Sequence, residues 1–277
     1  MHLITTPTGT VGHHVLTTLL THARPVRALA RNPHHPRIPH GTPTARADLH
    51  TPTTWPHALQ GTTSAFLVWP HPTLDHAADF ITALAHHARH IVYLSSAGAD
   101  PHAPDPINST HGHLEQLITR SGAHWTFLRP SGFAANTLHW APRIRTHRTV
   151  TSTHPHLARP LIHEADIADV AVDALTRPEH HHQRTHHLTG PHHHTEAEQV
   201  RIIAQVLDLP LTHHTLTRAQ ATADPGDLPP DLLDAILDAH DHMTRNPEPA
   251  TTTVEQILGR PARSYRQWVA DHATDFR

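Results

Sequence analysis

The sequence predicts an α/β fold, a doubly wound parallel sheet with a small, mostly helical C-terminal lobe, and three observations carry that expectation. A short apolar run, Leu3-Ile4-Thr5, meets the turn Thr6-Pro7-Thr8-Gly9-Thr10-Val11-Gly12 and then a helical stretch from His13 through Leu20. Strand-like and helix-like segments alternate from there on, which calls for parallel strands with helices over both faces. The 277 residues are enough to bury a full core. We expect a dinucleotide-type domain over residues 1–190 and a dependent helical lobe over 191–277.

The opening turn is the most informative segment. A strand-turn-helix that cradles a phosphate needs positive φ at the turn, bare backbone facing the ligand, and close packing of helix on strand. Gly9 and Gly12 meet the second and third needs. At the place of a first glycine stands Thr6, followed by Pro7. A β-branched residue at positive φ costs about 1–3 kcal/mol, so the turn is either strained at Thr6 or rearranged.

Beyond it, Pro25 to Arg31 alternates and stops at Asn32-Pro33, as a second strand should. Ala47-Asp48-Leu49 marks a strand end, Thr54 to Gln60 a short helix, and Ser64 to Trp69 a buried strand. A helix from Leu74 to Arg89 carries its apolar residues at helical spacing and leads into the strand His90 to Leu94, which ends at Ser95-Ser96. His113 to Ser121 reads as a helix closed by Gly122, and Trp125 to Pro130 as a sixth strand. Ser131 to Asn136 leads into a further helix, and Leu161 to Val170 reads as a strand turning into a helix that runs to Leu175. From about Pro191 two or three helices follow, with a proline-rich break at Asp224 to Pro230.

Composition narrows the function classes. With 21 basic against 24 acidic residues, no concentrated basic face marks a nucleic-acid binder. Cysteine is absent, which excludes disulfides, a thiolate nucleophile and a thiolate zinc site. The sequence shows neither an apolar run of about eighteen residues nor a basic-then-apolar leader, so we expect a soluble cytoplasmic protein. The chain holds 36 His and 26 Pro against 11 Gly, and every basic residue is arginine. The residues in excess share cytosine-rich codons, as in a GC-rich, actinomycete-like bacterial genome. Histidine abundance is then a poor pointer to metal, and the runs His180 to His182 and His192 to His194 read as solvated loop residues. We expect no metal site.

Taken in order and spacing, Thr8-Gly9-Thr10-Val11-Gly12, Val26 to Pro33, Asp48-Leu49, Leu94 to Ala99, Trp125 to Pro130, His163 to Val170 and Leu188-Thr189-Gly190-Pro191 resemble the NmrA-like branch of the atypical short-chain dehydrogenases. Val254 to Pro261 and Ser264 to Trp268 resemble that branch's closing helices. The resemblance covers essentially the whole chain. It implies a Rossmann-type fold with NADP(H) across the C-terminal strand ends, the cradle Thr6, Gly9, Thr10, Val11 and Gly12 at the pyrophosphate, Asp48 and Leu49 beside adenine, and Val68, Trp69 and Pro70 at its ribose. Arg31, with no acid adjacent, favours a 2′-phosphate; its other reading is a solvated loop residue.

The resemblance also places the family's usual catalytic tyrosine at Ile107 and its lysine at His111, so that pair is absent. Tyr93, within a strand, and Tyr265, near the C-terminus, lack its spacing. His111 is the best remaining general acid. Ser95 and Ser96 either donate to a substrate carbonyl or satisfy a strand end. Asn136 and Trp140 line a substrate cleft or pack in the core, and Trp69 stacks on a flat substrate or packs likewise. His163-Glu164 lacks the second histidine of a zinc peptidase helix, and Gly-x-Ser-x-Gly is missing. The expected activity is that of an NADP(H)-dependent reductase or oxidoreductase acting on a small, aromatic or quinone-like molecule as a tailoring step of secondary metabolism. Two alternatives stay open: a cofactor-independent isomerase, cyclase or dehydratase on a degenerate fold, and a non-catalytic NADP(H)-sensing regulator.

Overall fold

The computed structural model describes residues 1–71, 73–223 and 229–277. In chain order its elements are β1 (His2–Thr5), α1 (Thr10–Thr21), β2 (Val26–Ala30), β3 (Thr44–Arg46), α2 (Trp55–Leu59), β4 (Ser64–Leu67), α3 (Ala77–His87), β5 (His90–Leu94), α4 (Pro106–Arg120) and β6 (His124–Pro130). There follow α5 (Ala141–His147), β7 (Thr149–Ser152), β8 (Ala158–Arg159), α6 (Glu164–Thr176), β9 (Arg184–Leu188), β10 (His194–Thr195), α7 (Glu196–Leu207), β11 (Thr212–Thr215), α8 (Arg218–Ala223), α9 (Pro230–Arg245), α10 (Thr253–Leu258) and α11 (Tyr265–Asp271).

Seven strands form one sheet in the order β3-β2-β1-β4-β5-β6-β9, and every pairing in it is parallel. The order reverses direction at β1, and that switch point is where open α/β sheets bind ligands, outside the C-terminal strand ends. Period-two alternation fixes which side chain faces which layer. Leu3, Leu29, Leu67, Tyr93 and Phe127 are buried in one cluster with Trp55 of α2, Phe80, Ile81 and Leu84 of α3, and Leu114 and Ile118 of α4. Their neighbours Ile4, Ala28, Phe66, Val92 and Leu128 are equally buried on the other face. There α6 contacts β4, β5 and β6 and packs along α1.

The chain divides into two compact units: residues Met1–Pro130, Glu164–Leu188 and Thr253–Arg260 in one, and Ser131–His163, Thr189–Thr252 and Pro261–Arg277 in the other. The expected boundary at 190 is therefore replaced by an interleaved division. The physical reason is β-sheet completion: α6 and β9 must return to cover and extend the sheet, and α10 docks on α6, where Arg260 bonds Asp166 at 2.8 Å and Asp169 at 2.5 Å.

The second unit has its own core of Trp140, Ile144, Val150, Leu161, Val200, Ile203, Tyr265, Trp268 and Phe276. Here α7 packs on α11, and each opens on a reciprocal capping box, Thr195 with Glu198 and Ser264 with Gln267. Two further expectations are corrected in this region. The segment read as a strand at Leu161 makes a lone bridge, Ile162 to Phe133. After Pro191 the described residues form five α-helices, α7 to α11, where two or three were expected, together with β10 and β11. The proline-rich break falls mostly on 224–228, outside the described residues, and Pro230 opens α9. Among the described residues no helix is long and apolar enough to cross a membrane.

Candidate functional site

The first unit carries the phosphate cradle. β1 ends at Thr5, whose hydroxyl accepts from the Val68 N–H at 2.8 Å and so ties the switch-point strand to the end of β4. Thr6 then takes φ 46°, so the turn is strained rather than rearranged. Its carbonyl accepts from the Gly9 N–H at 3.0 Å. A Cβ on Gly12 would come within 2.2 Å of that same carbonyl oxygen, and one on Gly9 within 3.3 Å. Gly12 is thus required by helix-on-strand packing. Gly9 caps α1 without any side-chain hydrogen bond, and the first turn holds no acidic residue. Its N–H groups and the helix dipole therefore face outward unspent, which suits a pyrophosphate. Val11 is buried and offers only its backbone.

Arg31 follows directly on β2, is exposed, and has no ion-pair partner among the described residues. Its charge reaches His71, whose pKa is lowered by burial first, then by His50, with Arg31 a lesser cause. Asp48 accepts from the His50 N–H at 2.9 Å through Oδ1, and its carbonyl accepts from the Trp55 indole at 2.7 Å. Leu49 is buried and Val68 half-buried. Trp69 is 6 % exposed, donates its indole N–H to the Thr73 carbonyl at 2.9 Å, and lies near Phe80 and over His50. Of its two readings, core packing fits this burial.

Beyond β5 a polar network replaces the expected pair of serine donors. The Ser95 hydroxyl donates to Glu115 Oε1 at 2.6 Å, and Arg129 grips the same carboxylate, Nε to Oε1 at 2.9 Å and Nη2 to Oε2 at 2.5 Å. Ser95 and Glu115 are buried. With its one proton committed, Ser95 has none for a substrate. The Ser96 hydroxyl likewise donates to Asn108 Oδ1 at 2.7 Å, while Asp105 takes Asn108 Nδ2 at 2.9 Å and caps α4 through the Asn108 N–H at 2.8 Å. Both serines therefore organise the strand end and α4.

His111 is half-buried on α4, with Nδ1 at 2.6 Å from the hydroxyl of Tyr93 on β5. Burial lowers its pKa, partly opposed by Glu115 and Asp105, so the ring is neutral at pH 7. In that form the imidazole can serve as a hydrogen-bond donor, a role beside the general acid expected of it. Nε2 has no protein partner among the described residues. One turn earlier on the same face of α4 lies Ile107, 57 % exposed and the one exposed large hydrophobic side chain among those described.

In the second unit Asn136 is exposed, and its carbonyl accepts from His139 Nδ1 at 2.5 Å. Trp140 is 5 % exposed within that unit's core, so of its two readings packing fits its burial. The histidine runs are not uniformly solvated. His181 is buried, bonded to Asp173 at 2.8 Å and His186 at 2.9 Å, and His182 stacks on His124 with ring centroids 4.3 Å apart. His192 and His193 are exposed. Among the described residues no group of three or more His, Asp or Glu is arranged to hold a metal ion.

Sheet order, glycine cradle and uncapped helix define a nucleotide-binding domain of the Rossmann type. The chain belongs to the NAD(P)H-binding family, whose profile it matches over residues 7–178. It is 35 % identical to (4-alkanoyl-5-oxo-2,5-dihydrofuran-3-yl)methyl phosphate reductase of Streptomyces griseus, over 100 % of this chain and 99 % of that one. It is 31 % identical to the NAD(P)H azoreductase of Xenophilus azovorans, over the same shares of the two chains. Among solved structures, the NADPH-dependent quinone oxidoreductase of Escherichia coli superposes with TM-score 0.82 at 22 % identity, over 98 % of this chain and 99 % of the other.

Proposed function

We propose that this protein is an NADP(H)-dependent reductase of a small conjugated acceptor, a quinone or an α,β-unsaturated carbonyl compound, serving as a tailoring step in secondary metabolism. The observation that carries the proposal is His111, a neutral imidazole held at Nδ1 and free to donate from Nε2, beside the C-terminal strand edge where the family binds its cofactor. Such reduction needs a hydride, supplied by bound NADPH, which leaves as NADP⁺, and a proton, supplied by water. Negative charge grows on the acceptor's oxygen as hydride arrives, and a preoriented N–H donor stabilises that charge more than it stabilises the ground state. Ile107, one turn away, offers an apolar shelf for an alkyl or aryl group. The relatives' printed substrates, a dihydrofuranone phosphate and azo compounds, are likewise electron-poor conjugated acceptors.

His111→Ala is expected to lower kcat/KM for menadione reduction about 10²–10³-fold, the usual cost of one oxyanion donor, with NADPH affinity unchanged. Full activity in that variant removes His111 from the mechanism. Arg31 is expected to set cofactor choice. Arg31→Ala should weaken NADPH binding about 10- to 100-fold, as loss of a charge-assisted hydrogen bond does, and leave NADH binding unaltered in calorimetric titration. Equal losses for both nucleotides would show that Arg31 does not read the 2′-phosphate. NADPH binding without turnover of any quinone or enone would favour the sensor alternative.

A further inference from the structure

We propose that Tyr93 is a positioning residue for the reaction: from behind His111 it fixes the imidazole as the Nε2–H tautomer that faces the acceptor. The inference rests on the His111 reading and adds to it a residue that the family's Tyr/Lys spacing would never select.

Tyr93 lies in β5, all five of whose residues are buried, and its own side chain is fully buried with its ring edge-on to Phe127 at 6.3 Å. A phenol that deep requires a hydrogen-bond partner, and the partner it has is His111 Nδ1 at 2.6 Å. Which group donates follows from what surrounds them. Burial and the nearby Glu115 carboxylate both raise the phenol's pKa, so Tyr93 keeps its proton. The His111 ring is neutral and carries one proton of its own, which either nitrogen could hold. With Tyr93 donating to Nδ1, that proton belongs on Nε2.

The charged groups facing the pair are Glu115 and Asp105, both belonging to α4 and its cap. Neither competes for the phenol. Glu115 is occupied by Ser95 and both arms of Arg129, and Asp105 by the backbone and side chain of Asn108. The network behind the dyad is therefore closed, and the outward N–H of His111 is the donor it leaves available. Side-chain donors tune a catalytic imidazole through its far nitrogen in this way wherever tautomer decides function.

The test uses the full chain and three variants, Tyr93→Phe, His111→Ala and the double replacement, each checked for a native melting transition. Menadione is the acceptor probe and NADPH the donor. Tyr93→Phe is expected to lower kcat about tenfold with the NADPH Kd unchanged, because an unheld ring also populates the Nδ1–H tautomer, in which Nε2 has no proton to donate. In the His111→Ala background the same change should cost nothing further, since Tyr93 acts only through the ring. A loss of equal size in both backgrounds would assign Tyr93 a merely structural role and overturn the inference. Full kcat in Tyr93→Phe, with His111→Ala impaired, overturns it as well while leaving the His111 reading intact. Full activity in His111→Ala overturns that reading and the inference with it. Independently of turnover, ¹⁵N shifts of His111, assigned by difference from His111→Ala, should report the neutral Nε2–H tautomer in the unaltered protein. A mixture of tautomers is expected in Tyr93→Phe, and an Nδ1–H tautomer in the unaltered protein would overturn the inference.

Discussion

Gly12→Ala is expected to abolish measurable NADPH binding and to destabilise the protein by about 3 kcal/mol or more, the upper range for overpacking a rigid site. The added methyl would lie 2.2 Å from the Thr6 carbonyl oxygen, 3.0 Å from its carbon and 3.2 Å from the Thr5 oxygen. All three are backbone atoms, so no side-chain rotation relieves the clash. Either α1 moves off β1 or the turn opens and gives up the Gly9 to Thr6 hydrogen bond of 3.0 Å, and either change carries the N–H groups of the first helical turn away from the pyrophosphate. Denaturant unfolding and calorimetric titration read the two effects separately. Retention of NADPH affinity within about threefold, some 0.6 kcal/mol, would show that the cradle tolerates the separation. Thr6→Gly works the other way on the same turn. It relieves a left-handed β-branched residue worth about 1–3 kcal/mol and adds chain entropy of about 0.5–1 kcal/mol. The net result should be a protein equally or slightly more stable, with its nucleotide affinity preserved or raised.

The strand-turn-helix at residues 3–20 was legible because its chemistry is local: apolar run, glycines and helical periodicity all fall within one window. The same holds for β4 and β5, strands buried along their whole length and mostly apolar or aromatic. The interleaving of the units was not legible, since nothing local to α6, β9 or α10 says that they return to the first sheet. Ser95 and Ser96 were correctly placed at the end of β5, but their protons are spoken for by Glu115 and Asn108, twenty and twelve residues away, and sequence shows no hydrogen bond at that range. His111 was found through the family's spacing, but its burial, which favours the neutral ring, is a tertiary property the sequence does not show. Tyr93 was set aside for lacking that spacing, yet it meets His111 because α4 packs on the sheet face to which Tyr93 points. His181 was read as solvent-facing from its neighbours in the run His180 to His182. The Asp173 carboxylate, eight residues before it in sequence, draws it inward.

The protein is expected to lose stability steeply as the pH falls from 7 toward 4. Four histidines have pKa values pushed far below 6.5, chiefly by burial: His90 to about 3, and His2, His186 and His240 to about 4. His90, His2 and His186 belong to the first unit and His240 to the second, so acid acts on both. In the unfolded chain these rings titrate near 6.5, whereas in the folded protein they stay neutral until pH 4 or below. Between those values the unfolded state binds more protons, and stability must fall with pH throughout that window. At pH 5 an ideal ring of this kind costs about 2 kcal/mol; screening of the less buried rings reduces the total to the order of 5 kcal/mol. Glu196, whose carboxyl burial raises in pKa, opposes this by gaining relative stability on acidification, but it is one group against four. For a chain of this length the total corresponds to a drop in Tm on the order of 10 °C between pH 7 and pH 5. Calorimetric or fluorescence melts across that range read it directly, and a Tm constant within about 3 °C, roughly 1 kcal/mol, would mean that the rings are solvated and take up protons while folded. His90→Gln separates burial from general acid sensitivity. His90 Nε2 lies 2.8 Å from Thr126 Oγ1, a partner an amide also reaches, so the variant should fold, melt close to the parent at pH 7, and lose visibly less Tm on going to pH 5.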